Sequence, residues 1–333
     1  MGQAIFMETV NSLPPELIRI VVTALVIIAF VFLNSLILGY LERKFAGWFQ
    51  LRPGPMEVGP HGIFQLIVDG VKLLGKQFIV PKEANAPLFR LAPLLAFIPV
   101  GMSFIVVPFS SKLQVRDLDV GLIFILAIMA LNAVAILIAG WGSNNKYSLF
   151  GAIRAVAQNV AYEIPMLLSL LSVVLMTNTF SMRGIVLAQS PVWHVILQPV
   201  AFLIYFIAGM AETHRAPFDL PEAESELTAG FHTEFSGICF SFFFIAEYTN
   251  MFFVCAIAVI LFLGGWSGPP LPYMEYTGII WFLLKVYALL FILIWVRWSF
   301  PRVRFDQLLN FCWKYLIPFS LVNLLVTAVI VKL

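Results

Sequence analysis

Six of the eighteen acidic residues, Glu212, Asp219, Glu222, Glu224, Glu226 and Glu234, fall within residues 211–236, a run with one arginine, Arg215, and no lysine. Carboxylates crowded beside apolar sequence repel one another and are costly to desolvate, so each tends towards a raised pKa or a water-filled cavity. Such groups gain and lose protons near neutral pH, and proton transfer is the chemistry they suit. Pro217 and Pro221 interrupt any continuous helix. If a helix resumes after Pro221, Glu222 and Glu226 share a face, where one proton shared between them is expected, while Glu224 points away. A hydrated loop touching nothing is the plainer alternative, but Phe218, Leu220, Leu227, Phe231 and Phe235 interleave the acids. Glu163 (AYEIP) and Glu247 (IAEYTN), next to Tyr162 and Tyr248, fall inside apolar stretches, as does the cation Lys285. An ionisable group there marks function by default, the alternative being a buried Glu paired to an Arg or to backbone. Spread over several stretches, Glu163, Glu212, Glu247 and Lys285 suggest a proton relay.

Other chemistries find no support. Cys239, Cys255 and Cys312 are isolated, and His61, His194, His214 and His232 show no metal-ligand spacing, so neither a metal nor an iron–sulfur site is expected in this chain. The segment AGWGSNNKYSLFGAIRAVAQ lacks a phosphate-cradling glycine–lysine motif, no arrangement activates a nucleophile, and nothing points to nucleic acid. In WVRWSFPRVRFDQLL, the cluster of Arg297, Arg302, Arg304 and Asp306 suits a docked partner or anionic lipid headgroups.

The elements positioning these groups are membrane helices. Hydrophobic residues make up 61% of the chain and charged ones 11%, against roughly half and a quarter in soluble proteins. The composition predicts one all-α polytopic membrane domain over 1–333, with about eight spans at 17–40, 87–109, 120–140, 157–178, 195–211, 237–263, 279–298 and 315–331. Residues 1–16 lack the basic start and apolar core of a cleavable signal peptide. Odd-numbered loops with the span ends beside them carry 14 basic residues and the even loops with the C-terminal tail 4, which places the odd loops, including 211–236, in the cytoplasm and both termini outside. Within the first loop, Ile63, Ile67, Val71, Leu74 and Phe78 alternate with Gln65, Asp69, Lys72 and Lys76 at helical spacing. An amphipathic helix over 61–79 is expected, lying in the membrane interface or against partner subunits.

The segments LERKFAGWFQLRPGP, AGWGSNNKYSLFGAIRAVAQNVAYE, AETHRAPFDLPEAESELTAGFHTEFSG, FFIAEYTNM, FLGGW and WVRWSFPRVRFDQLL, in this order, resemble the quinone-site membrane subunit of respiratory complex I. The likeness runs from about residue 17 to 331, and APFDLPEAESEL is its most specific stretch. It implies eight spans in a bacterial inner membrane and a tunnel admitting quinone, the substrate. It also implies electrons delivered from iron–sulfur clusters and FMN held by partner subunits of the peripheral arm, with no cofactor on this chain. Other membrane-arm subunits and lipid would complete its surroundings. By the same resemblance, Glu163, Glu212 and Glu247 belong to a buried row of carboxylates. Arg215, Asp219, Glu222, Glu224, Glu226 and Phe235 belong to the quinone-site loop, Arg43 and Asp69 to the tunnel entrance, and Arg297 to Asp306 to the peripheral-arm side. The chain departs from the family's habit at Met56–Glu57, at Lys76–Gln77 and at His214, where asparagine is usual. These positions bear on which quinone and which electron-input module it serves. The competing readings are the anchor of an energy-converting hydrogenase-type complex, a ferredoxin- or deazaflavin-linked complex, and an autonomous transporter.

Overall fold

The computed structural model describes residues 15–221, 224–269 and 277–332. The signal-peptide expectation and Glu222 therefore lie outside the described residues. Thirteen α-helices carry the described chain, and it contains no strand: α1 (Pro15–Phe49), α2 (Gln65–Gly75), α3 (Ala86–Ser103), α4 (Gly121–Gly142), α5 (Lys146–Thr177), α6 (Met182–Ala188), α7 (His194–Leu197), α8 (Pro199–Glu212), α9 (Glu224–Leu227), α10 (Gly237–Phe262), α11 (Thr277–Ser299), α12 (Phe305–Phe311) and α13 (Ile317–Lys332).

Among the described residues, seven helices are long and apolar enough to cross a bilayer, counting α12 to α13 as one. The fifth expected span is the exception. Its chain breaks at Gln198, whose φ of −133° and ψ of 56° are not helical, and Pro199 restarts it as the 14-residue α8. At about 1.5 Å per residue α8 reaches only about 21 Å, short of a bilayer core of about 30 Å. The polar groups at this break are satisfied inside the bundle: Gln198 Nε2 donates to Thr327 Oγ1 at 2.8 Å, and Asn323 Nδ2 to Gln198 Oε1 at 3.0 Å.

Helix α10 forms the centre. From Tyr248 to Phe262 every residue is buried, while α1 and α13 are mostly exposed on their apolar sides, as lipid-facing helices must be. Hydroxyl and amide contacts tie α1 to its neighbours, Ser35 Oγ to Thr249 Oγ1 at 3.2 Å and Tyr287 to Asn34 at 3.0 Å. Pro165 has no N–H for the carbonyl of Ala161 four residues back. The Cys312 thiol donates to that carbonyl at 3.0 Å, where the last span carries a π-helical turn at Cys312–Leu316.

The odd-numbered loops meet at one end of the bundle: Asn85 N–H donates to Gly142 O, Asn145 to Glu234 at 2.5 Å, and Arg302 pairs with Asp219 at 3.0 Å. The even loops meet at the other, where Ser181 donates to Asp117 at 2.9 Å. The odd and the even loops thus gather at opposite ends of the bundle.

The amphipathic helix is shorter than its periodicity. A 3₁₀ turn at Pro60–Gly62 precedes α2, and Lys76, in extended conformation, ends it after Gly75. Leu66 packs inward against Gly39, whereas Ile63, Ile67, Val71 and Leu74 remain exposed. The apolar stripe faces away from the bundle.

Candidate functional site

The acidic run does not stay at the surface. Glu212, at the end of the short α8, lines a cavity with Asn250 and Phe253 of α10, Val100 and Ser103 of α3, and Asn132 of α4. Asn250 lies 13 residues into α10, about 20 Å from its start at the odd-loop end. Residues 211–215 are all buried, so the chain after α8 is non-helical backbone at membrane depth. Such backbone is tolerated only when enclosed by protein. Gln158 of α5 supplies part of the enclosure, donating to the carbonyls of Ala211 and Phe218 at 2.7 and 2.9 Å. His214 takes a left-handed conformation, φ 52°, at the turn that follows α8. Further on, a close approach of Gly151 and Gly230 lays the loop on α5: a Cβ at Gly151 would stand 2.8 Å from the Gly230 Cα.

Four charged side chains converge between α1, the loop after α8, α10 and α11. Arg215 Nε lies 2.8 Å from Glu247 Oε1 and its Nη1 3.4 Å from Glu42 Oε1, and Arg297 also pairs with Glu42. The Arg215 guanidinium covers the Tyr248 ring at 4.6 Å. Glu42 and Arg215 are each 5% exposed, which makes this a low-dielectric cluster with two positive and two negative charges. Two cavities flank it. On the outer side, a cavity of about 450 Å³ is lined by Glu42, Arg43, Ala46, Arg52, Pro53–Pro55, Tyr248 and Trp298. On the inner side, one of about 30 Å³ is lined by Glu212, His214, His232, Glu247, Asn132 and Asn250 among others. Burial pushes the His214 imidazole down to about 4 and that of His232 to about 3, the latter helped by His214 and Arg215. Both are neutral at physiological pH.

The structure brings Glu212 and Glu247 to one cavity, with Glu163 near enough to Glu212 for the two carboxylates to repel, and leaves Lys285 apart. Glu163 faces a separate apolar groove of about 420 Å³ between α4 and α5. Lys285 is not the cationic counterpart of the acids: its ammonium donates to the carbonyls of Leu263, Gly265 and Ser267 and lies 4.4 Å from the Trp193 ring, at the far end of α10. The counterpart of Glu247 is Arg215. Among the loop candidates, Asp219 pairs with Arg302 and Glu226 with Arg154 at 2.5 Å, while Glu224 opens α9. Phe235 is a packing residue, stacked on Phe89 with centroids 4.1 Å apart and edge-on to Phe243. Arg43 and Asp69 pair at 2.7 Å, which joins α2 to the rim of the outer cavity. Of the Arg297–Asp306 patch, Arg302, Arg304 and Asp306 are exposed, but Arg297 turns inward to Glu42. Glu42 is the residue that sequence reasoning missed. Its signal was an acid on the same helix as the first apolar run, one position before Arg43. No group of three or more His, Cys, Asp or Glu among the described residues is arranged to hold a metal ion.

The family model described as NADH dehydrogenase matches residues 22–328. The chain belongs to this family. Relatives named as the H-type subunit of NADH-quinone oxidoreductase match it over nearly their whole length. That of Dehalococcoides mccartyi is 48% identical over 93% of this chain and 86% of the relative. That of Desulfotalea psychrophila is 47% identical over 95% and 98%, and that of Bacteroides fragilis 45% identical over 97% and 95%. The resemblance carried by APFDLPEAESEL is thereby borne out, and with it the assignment to the membrane subunits of complex I.

Proposed function

We propose that this chain admits quinone to a complex I-type NADH:quinone oxidoreductase at the outer cavity and carries the coupled protons inward along Glu247 and Glu212. The observation that supports this reading most directly is the placement of the Glu42–Arg215–Glu247–Arg297 cluster between the two cavities. Reducing a quinone to quinol takes up two electrons and two protons. The electrons come from carriers, iron–sulfur clusters and FMN, on partner subunits of the peripheral arm. Negative charge arriving at the quinone head is balanced by the guanidinium groups around the outer cavity and draws protons towards the cluster. Two unit charges about 10 Å apart at an effective dielectric of about 20 interact by about 1.7 kcal/mol, enough to move a carboxyl by roughly one pKa unit. The large apolar part of a quinone suits entry from lipid beside the exposed stripe of α2. The odd-loop end faces the cytoplasm and both termini the outside, in keeping with the 14-to-4 distribution of basic residues. The names of the relatives favour quinone as acceptor over a hydrogenase-type reaction.

The reading is tested with a photoreactive quinone analogue on the intact, membrane-embedded complex. Labelling is expected in the stretch 52–55 and near Tyr248 and Trp298, with excess unlabelled quinone suppressing it. Labelling of this chain confined to other surfaces would remove the outer cavity as the quinone site.

A further inference from the structure

Residues 52–55 form one wall of the 450 Å³ cavity. Pro53 and Pro55 have no N–H to donate, and among the described residues the stretch 53–57 enters no backbone hydrogen bond. The wall is instead laid on the end of α1. The Arg52 N–H donates to Gly47 O at 2.9 Å. A Cβ at Gly47 would stand 2.8 Å from Arg52 O and 2.9 Å from Gly54 N, an approach only glycine allows. A Cβ at Gly54 would stand 3.1 Å from Lys44 Cδ, so the wall rests on the Lys44 stem. Lys44 then fastens it. Its Nζ donates to Pro55 O at 2.6 Å and to Met56 Sδ at 3.2 Å, the two hydrogen bonds that 53–57 makes among the described residues. One turn earlier on the same face of α1, the Tyr40 hydroxyl donates to His61 O at 3.1 Å. From the other side Gly62 closes in, where a Cβ would stand 2.3 Å from Pro55 O. The Pro55 carbonyl is therefore held between a side chain of α1 and the 3₁₀ turn before α2. Lys44 itself is not among the residues lining the cavity.

We infer that Lys44 is a positioning residue for quinone: by fastening Pro55 and Met56 it sets where the 52–55 wall stands relative to Tyr248 and Trp298, and hence how tightly the cavity holds the quinone head. The inference deepens the reading of the outer cavity as the place where quinone is admitted, and it rests on that reading. Lys44 acts on quinone only through the wall, so it takes part in neither the electron nor the proton steps. A loosened wall weakens the hold on quinone equally before and during reaction, which raises KM and spares kcat.

The test uses the assembled, membrane-embedded complex with its own electron donor and a short-tailed quinone as acceptor. Lys44→Met keeps most of the stem but donates nothing, and Lys44→Arg returns N–H groups at a similar reach. In the methionine complex KM for quinone is expected to rise at least about fivefold, equal to about 1 kcal/mol of binding, with kcat within about twofold of the wild type. The arginine complex should recover most of the wild-type KM. A merely structural lysine would lower the amount of active complex and leave KM where it was. An unchanged KM in Lys44→Met therefore overturns the inference, as does a fall in kcat alone or an arginine variant no better than methionine. Where methionine prevents assembly, Gly54→Ala takes its place: the new Cβ presses on the Lys44 stem and shifts the wall with Nζ intact. The same rise in KM is expected, and a wild-type KM overturns the inference. Failure of the quinone reading itself is seen separately, as absence of photolabelling at 52–55 in the wild-type complex. Labelling there beside an unchanged KM in Lys44→Met removes only the role of Lys44.

Discussion

Arg215 Nε lies 2.8 Å from Glu247 Oε1, although the two residues are separated in sequence by most of the acidic loop and the first turns of α10. The pair clamps the chain after α8 to the central helix, with the Tyr248 ring beneath the guanidinium. Removing one partner of a buried pair leaves an uncompensated charge and costs about 3–5 kcal/mol. Arg215→Met should therefore lower the thermal midpoint of the detergent-solubilised complex and its yield. Arg215→Met combined with Glu247→Gln, which removes both charges, should recover much of that loss. A double variant as unstable as the single one would show that the pairing does not hold the loop.

Neutralising Glu212 separates proton transfer from assembly. Glutamine keeps the size and most of the hydrogen bonding but cannot carry a proton away. The complex should assemble, while quinone reduction and proton translocation fall together by at least about tenfold, or about 1.4 kcal/mol in barrier. Near-normal translocation by an intact Glu212→Gln complex would make this carboxylate structural.

Stability should fall on acidification in a defined window. The folded-state values of His214 and His232 are pushed down to about 4 and 3 from the ordinary 6.5, so between those limits the unfolded chain binds protons that the folded chain refuses. Stability from these groups is thus full above about pH 6.5 and declines below it, with a slope of up to about 1.4 kcal/mol per pH unit for each histidine. Thermal midpoints taken from pH 7 to pH 5 should drop, and His214→Asn should flatten the decline. A slope unchanged by that substitution would place the acid sensitivity elsewhere.

Sidedness can be read by thiol labelling in intact cells after replacement of the native cysteines. Glu83→Cys, on the exposed first loop, should resist an impermeant reagent added outside, and Ser111→Cys should react with it. The opposite pattern would invert the orientation.

The spans were legible because long apolar runs have one physical explanation, and the apolar stripe of α2 because its spacing is helical. The ends of α2 were set instead by local backbone at Gly62 and Lys76, which periodicity does not register. The fifth span shows the limit of composition: hydropathy reports that residues 195–211 are apolar, but not that Gln198 breaks the helix and is satisfied by Thr327 and Asn323. The carboxylates stood out by type, whereas their partners did not. Glu42 meets Arg297 from 255 positions away, and no spacing rule reaches that far. Lys285 looked like the match for Glu247 because both are charges in spans, but depth decides: it serves carbonyls at the opposite end of α10. Phe235 read as part of the loop's chemistry and is held by ring stacking on Phe89.

The shortness of α8 has an electrical consequence. With Glu212 level with Asn250, about 20 Å along a central helix of 26 residues, a proton arriving there from the odd-loop end has crossed roughly half of the bundle. Where the voltage drops evenly across that thickness, a charge on Glu212 feels about half of it, or about 1.2 kcal/mol for every 100 mV. Loading this one carboxylate is then itself an electrogenic step, and the membrane potential acts on its occupancy as directly as pH does.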